Sequence, residues 1–138
     1  FEEAGFAIRA THEIAPALLP PAGVLSAARP SPAQEADVRR AERVHRIIAP
    51  ADIGQGVVVR AGQVLAVEAA QGTDWMLRSL KGIAEGAVFL KAPKEGQDRR
   101  ADLPVIGPAT VERAREARIA AIVVEAGGVM VVNREATI

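Results

Sequence analysis

The chain has 138 residues, 49% of them hydrophobic and 25% charged, with 17 basic against 17 acidic side chains and no cysteine. That is the composition of one globular domain long enough to bury a core. Zero net charge argues against nucleic-acid binding driven by bulk charge, and the missing cysteines exclude disulfides and thiolate metal sites and suit an intracellular location.

The chain opens on "FEEAG", which reads as the tail of a helix closed by glycine, and with Phe1 in first place a longer parent protein is expected. Phe6 to Ala10 alternates and reads as a first strand. The run from Ile14 to Ala28 is uncharged, but Pro16, Pro20 and Pro21 break it, so it is too short and too interrupted to cross a bilayer. It should wrap the surface with one short turn near Pro16 to Leu19. "SPAQEADVRRAERVHRIIAP" is the strongest helix: Ser31 caps it, Pro32 suits its first turn, Glu35 sits near its positive end and Pro50 ends it. Val38, Ala41, Val44 and Ile48 fall on one face.

"GVVVRAGQVLAVEAA" reads as a hairpin turning at Ala61-Gly62. "GTDWMLRSL" is a short helix with Thr73 as cap and Asp74 in its first turn, and Trp75 and Met76 are assigned to the core. Ala87 to Lys91 is a strand, and Gly107-Pro108 opens a helix to about Arg118. "IAAIVVEAGGVMVVN" reads as strand, tight Gly-Gly turn, strand, with Asn133 capping a further helix. Hairpins mixed with strand–helix–strand units predict a single α+β domain, or α/β with a mixed sheet.

The densest chemistry lies in "KAPKEGQDRRADLP", residues 91–104, half of it charged and of mixed sign. Asp98 and Asp102 can hold a hard cation through oxygen ligands, and Lys91, Lys94, Arg99 and Arg100 offer positive charge to phosphate oxygens. The alternative, which composition favours, is a solvated loop of weak surface ion pairs. Glu68 and Glu125 each follow an apolar run and must face solvent, find a partner or serve a site. In "DIGQGVVV" the glycines around Gln55 allow close backbone approach to a ligand, or simply turn a helix into a strand. Gly127 and Gly128 can cradle an anion, although a hairpin turn accounts for them as well. Thr73 and Asp74 stand where a helix start offers free amides to a phosphate, or where a threonine merely caps. His12 and His45 have no metal-ligand spacing, and His45 reads as a partly buried filler.

These blocks taken together carry a resemblance. "LKAPKEGQDRRADLPVIGPATVE", with "HEIAPALLPPAGVL", "DIGQGVVV", "VLAVEAAQGTDWML" and "AIVVEAGGVMVV", is similar in order and wording to the C-terminal domain of the LpxI family, through almost the whole chain. Glu95 stands where that family carries proline, and the stretch from Leu80 to Gly86 is shorter. The resemblance implies residues 1–138 are the catalytic and lipid-binding half of a two-domain enzyme, the N-terminal domain lying outside this chain. It implies hydrolysis of UDP-2,3-diacylglucosamine to 2,3-diacylglucosamine 1-phosphate (lipid X) and UMP, in the lipid A biosynthesis of Gram-negative bacteria. Water would attack the α-phosphorus, with magnesium or another divalent cation required. Asp102 and Asp98 are then the expected catalytic carboxylates and, with Glu68 and Glu125, the metal ligands. Lys91, Lys94, Gln97, Arg99, Thr73, Asp74, Gln55, Gly127 and Gly128 are the expected substrate contacts. Also expected are a cytoplasmic protein in weak peripheral contact with the inner membrane, room for a homodimer, and an inactive isolated fragment. The rival readings are a lipid- or nucleotide-binding module without chemistry, and a domain that mainly dimerises.

Overall fold

The computed structural model describes residues 2–7, 9–94, 96, 99–100 and 102–138. Its scaffold is a four-stranded mixed sheet built from β1 (Gly56–Arg60), β2 (Gln63–Val67), β3 (Val88–Lys91) and β5 (Ala121–Val124) in the order β2-β1-β3-β5. β1 runs antiparallel to both β2 and β3, whereas β3 and β5 are parallel. Joining parallel neighbours requires a crossover. It is supplied by β4 (Val105–Ile106) and the helix α4 (Pro108–Glu116). β4 pairs in parallel with β6 (Met130–Val131) as a separate two-stranded sheet. This is the α+β, mixed-sheet domain expected.

Val57, Val58 and Val59 are all fully buried, so both faces of β1 are covered. Side chains alternate across a strand. Val57 and Val59 join Leu90 and Val123 under Ala41, Val44 and Ile48 of α2 (Pro32–Ile48). Val58 and Phe89 point the other way, into Met76, Leu77 and Leu80 at α3 (Gly72–Ser79) and Ala117 after α4. A third cluster, Ile106, Val129 and Val131, joins the small sheet to Ile122 and Val124.

Local chemistry explains most of the elements. Ser31 caps α2 by accepting from the Gln34 amide at 3.3 Å, while Gln34 Oε1 accepts from the Ser31 amide at 2.8 Å, closing a reciprocal box. Ala61 and Gly62 both have positive φ, the conformation of a two-residue turn between twisted strands. That turn is held from outside its own hairpin. The buried Asp37 of α2 accepts from the Ala61 amide at 2.9 Å and the Gly62 amide at 2.7 Å. No helix among the described residues is long and apolar enough to cross a membrane.

Several expectations are corrected. Phe6, Ala7, Arg9 and Ala10 are not in a strand; an alternating pattern needs a partner strand, and the chain goes straight into α1 (Thr11–Ile14). Thr73 is not a cap, because α3 begins at Gly72 and the Thr73 hydroxyl bonds to side chains outside the helix. Trp75 is 53% exposed, on the side of α3 away from Met76 and Leu77. β5 and β6 are not a hairpin: each takes a parallel partner in a different sheet. Asn133 precedes α5 (Arg134–Thr137) but its side chain makes no capping bond.

Candidate functional site

The registers place four chain segments at one end of the sheet. Gly56 lies opposite Lys91, and Val57 opposite Val67, while Lys91 is level with Val124. The end of β2, the start of β1, and the ends of β3 and β5 therefore share an edge. Backbone bonds stitch it: Glu68 N to Gly56 O at 2.8 Å, Ala92 N to Gln55 O at 2.9 Å and Glu125 N to Lys91 O at 3.2 Å.

At the centre is a buried polar triad. Lys91 Nζ donates to Glu68 Oε2 at 2.7 Å and to Thr73 Oγ1 at 2.6 Å, and the Thr73 hydroxyl donates to Glu68 Oε1 at 2.9 Å. Each oxygen of Glu68 has a partner, and Lys91 and Glu68 are both buried. Glycines make room for it. A Cβ on Gly54 would stand 2.0 Å from the Glu68 carbonyl oxygen, and one on Gly56 would stand 2.6 Å from Glu68 Oε2. Real Cβ atoms do not come that close, so the "DIGQG" glycines admit Glu68 itself.

Around the triad the groups are more exposed. Lys94 pairs with Asp52, and Arg99 donates to Glu125 Oε1 at 3.3 Å. Gly128 is buried beside Glu125 and Pro93, its Cβ position 2.6 Å from Glu125 Oε1 and 2.9 Å from Pro93 Cδ. Gly127 takes a positive φ in the turn that Gly128 N closes on Glu125 O at 3.1 Å. Asp102 is exposed at the far side of the charged loop, and Asp74 is exposed in the first turn of α3. Gln55 is half-buried at the edge. Asp98 and Gln97, with the proline departure at Glu95, lie outside the described residues.

The magnesium set is not assembled in what is described. No three His, Asp or Glu side chains among the described residues come close enough to share a metal ion. Glu68 is committed to a lysine and a hydroxyl, which a cation would have to displace. The described donors therefore do not fit a bound divalent ion.

Beside this edge runs an apolar groove of about 690 Å³. The ribbon from Pro20 to Pro30 forms one wall and β5 the floor, and Val124 and Ala126 bring it to either side of Glu125. Pro20 to Leu25 are among its lining residues. A second cavity, about 740 Å³ between α2 and the β1–β2 turn, is lined by none of the expected site residues.

Comparison with known proteins decides what this edge belongs to. The family described as LpxI C-terminal domain matches residues 21–138. The chain belongs to the LpxI family. A curated relative, UDP-2,3-diacylglucosamine pyrophosphatase LpxI of Caulobacter vibrioides (strain ATCC 19089 / CIP 103742 / CB 15), is 48% identical over 147 aligned positions. The alignment covers all of this chain and 52% of the relative, so this LpxI domain spans about half the length of the relative it matches.

Sequence reasoning missed the joining of Glu68, Thr73 and Lys91 into a triad: each was named as a candidate, but their spacing did not bring them together, and the run of apolar neighbours around Glu68 was the signal. His45, read as a partly buried filler, is buried.

Proposed function

We propose that the full-length protein hydrolyses the diphosphate bond of UDP-2,3-diacylglucosamine, releasing lipid X and UMP, and that this domain supplies the diphosphate and lipid side of the cleft. The observation that carries the reading is the sheet edge itself: a buried Lys91–Glu68–Thr73 triad flanked by Lys94 and Arg99, opening beside an apolar groove. The 48% identity along the whole chain to a relative bearing that activity's name supports it.

The side chains divide the work by their exposure. Lys94 and Arg99 already hold carboxylates, and phosphate oxygens offer the same charge and hydrogen-bonding capacity to a lysine or a forked guanidinium. Lys91, buried, fixes Glu68 and Thr73 and contributes positive potential from beneath. As water attacks, negative charge grows on the leaving phosphate, and cations fixed in advance stabilise it. Asp102, exposed on the same loop, is the proposed base that takes the proton from water, with Asp98 beside it in sequence. The acyl chains enter the groove along β5, where each methylene removed from water contributes about 0.8 kcal/mol. Membrane contact in this scheme is peripheral.

Asp102→Ala in the full-length protein is expected to lower kcat by at least ~100-fold at unchanged thermal midpoint; near-normal turnover would overturn the assignment. Hydrolysis in ¹⁸O-water reads the point of attack. Label in UMP supports attack at the α-phosphorus, and label in the sugar phosphate overturns it. No step here passes through a metal. Turnover in EDTA, and after magnesium is restored, measures the requirement that the resemblance implies.

A further inference from the structure

The end of β1 away from the proposed diphosphate edge carries chemistry of its own. Arg60 closes the strand four residues beyond Gly56, roughly 13 Å along it. There it lines the cavity of about 740 Å³ between α2 and the β1–β2 turn, together with Arg40 and Arg43 of α2. Residues three apart on a helix share a face, so two guanidinium groups of α2 and one of β1 border the same space.

Like charges gathered in this way repel unless acids answer them. The two acids that line the cavity are already engaged. Asp37 stands three positions before Arg40 and is placed to neutralise it, but its two oxygens accept from the Ala61 and Gly62 amides at 2.9 and 2.7 Å. Glu85 Oε1 is paired with Arg118 Nη2 at 2.7 Å. Arg60 donates to the Ile83 carbonyl at 3.2 Å, which fixes its guanidinium without cancelling the charge. Among the described residues Arg40 and Arg43 have no hydrogen-bond or ion-pair partner, whereas Arg113 and Arg115 of α4 each hold a glutamate three positions away. A guanidinium has five N–H donors, so most of the donors around this cavity are unspent.

We propose that the cavity is an anion site, separate from the diphosphate edge, in which Arg40, Arg43 and Arg60 take a phosphate-bearing ligand. A phosphate offers several oxygens to forked guanidinium groups and answers the uncompensated charge. Free phosphate and the phosphate of an anionic lipid headgroup share that chemistry. The site takes part in no bond-breaking step and does not depend on the proposed hydrolysis.

The test uses full-length protein and inorganic phosphate, with ionic strength held constant by sodium chloride, and reads the Ala61 and Gly62 amide resonances. Two double variants separate the sites. Arg40→Gln with Arg43→Gln removes charge from this cavity, and Lys94→Gln with Arg99→Gln removes it from the diphosphate edge. Phosphate is expected to shift both resonances in the wild type and in the edge variant. A hydrogen bond between charged groups is worth about a factor of ten or more in affinity, so the Arg40→Gln, Arg43→Gln protein should bind phosphate here at least about tenfold more weakly. Its kcat on UDP-2,3-diacylglucosamine should stay within about twofold of wild type. Shifts that survive undiminished in the cavity variant, vanish in the edge variant, or never exceed those produced by chloride overturn the inference. A tenfold fall in kcat would overturn the separation of the two sites. Should the double variant not fold, Arg43→Gln alone, at an exposed position, is judged by the same readings. Sedimentation with phosphatidylcholine vesicles that contain phosphatidic acid tells the two sources apart. Vesicle binding that is lost in the cavity variant assigns the site to a lipid headgroup, and phosphate-induced shifts without vesicle binding assign it to free phosphate.

Discussion

Lys91 and Glu68 put opposite charges 2.7 Å apart with side chains 4% and 11% exposed. Removing ions from water is costly, and their mutual attraction offsets that cost only while both are present. Lys91→Met is therefore expected to destabilise by about 3–5 kcal/mol, and adding Glu68→Gln should restore part of it; equal and additive losses in urea melts would disprove the coupling. His45 gives a second test. Unfolded, it takes up a proton near pH 6.5, and burial lowers that value in the fold. Between the two pKa values the unfolded state binds more protons, so stability falls as pH drops below about 6.5 and levels off once the folded ring titrates. His45→Gln should flatten that stretch of the stability–pH curve. The burial of His45 was legible, but the triad was not. Glu68 stood out as a carboxylate among apolar neighbours, but its partners are 5 and 23 positions away, and spacing in a sequence does not report a sheet register.

At the scale of elements, the strands were legible where hydrophobic residues run uninterrupted. β1 and β3 read as strands because both of their faces are covered, and α2 read as a helix because its cap and apolar stripe agree. Phe89 is the largest fully buried side chain among the described residues, and Phe89→Ala should cost about 3–5 kcal/mol by urea denaturation. A smaller loss would mean that α3 can collapse into the space. What failed were inferences about partners. "AIVVEAGGVMVV" has the wording of a hairpin, yet the β3 neighbour is already in place for β5, and β6 finds Val105-Ile106 instead. Phe6 to Ala10 had the period of a strand, yet Phe6, Ala7, Arg9 and Ala10 join no sheet. Alternation specifies a face, not a neighbour.

For the whole molecule, the family and the mixed-sheet class were legible because long blocks keep their order through the chain. The site was legible only as a list of charged residues, since its geometry arises where sequence-distant segments meet. The matched relative is about twice this chain's span, and under the proposed function the rest of the full-length protein completes the cleft. The isolated 138-residue chain is accordingly expected to release no UMP from UDP-2,3-diacylglucosamine while still binding lipid X, measured by calorimetry. UMP release from the chain alone would contradict the two-domain cleft.

The triad joins residues 68, 73 and 91, and the backbone around it ties in residues 55 and 125. The β1–β2 hairpin ends at Glu68 but holds neither of its partners, which arrive with α3 and β3. It comes into being when β3 docks on β1, and Glu125 joins the edge only once the β3–β5 crossover closes, a non-local and therefore slow contact. A nascent or nicked chain thus carries these cations scattered in water, and any affinity for diphosphate arrives together with the completed fold.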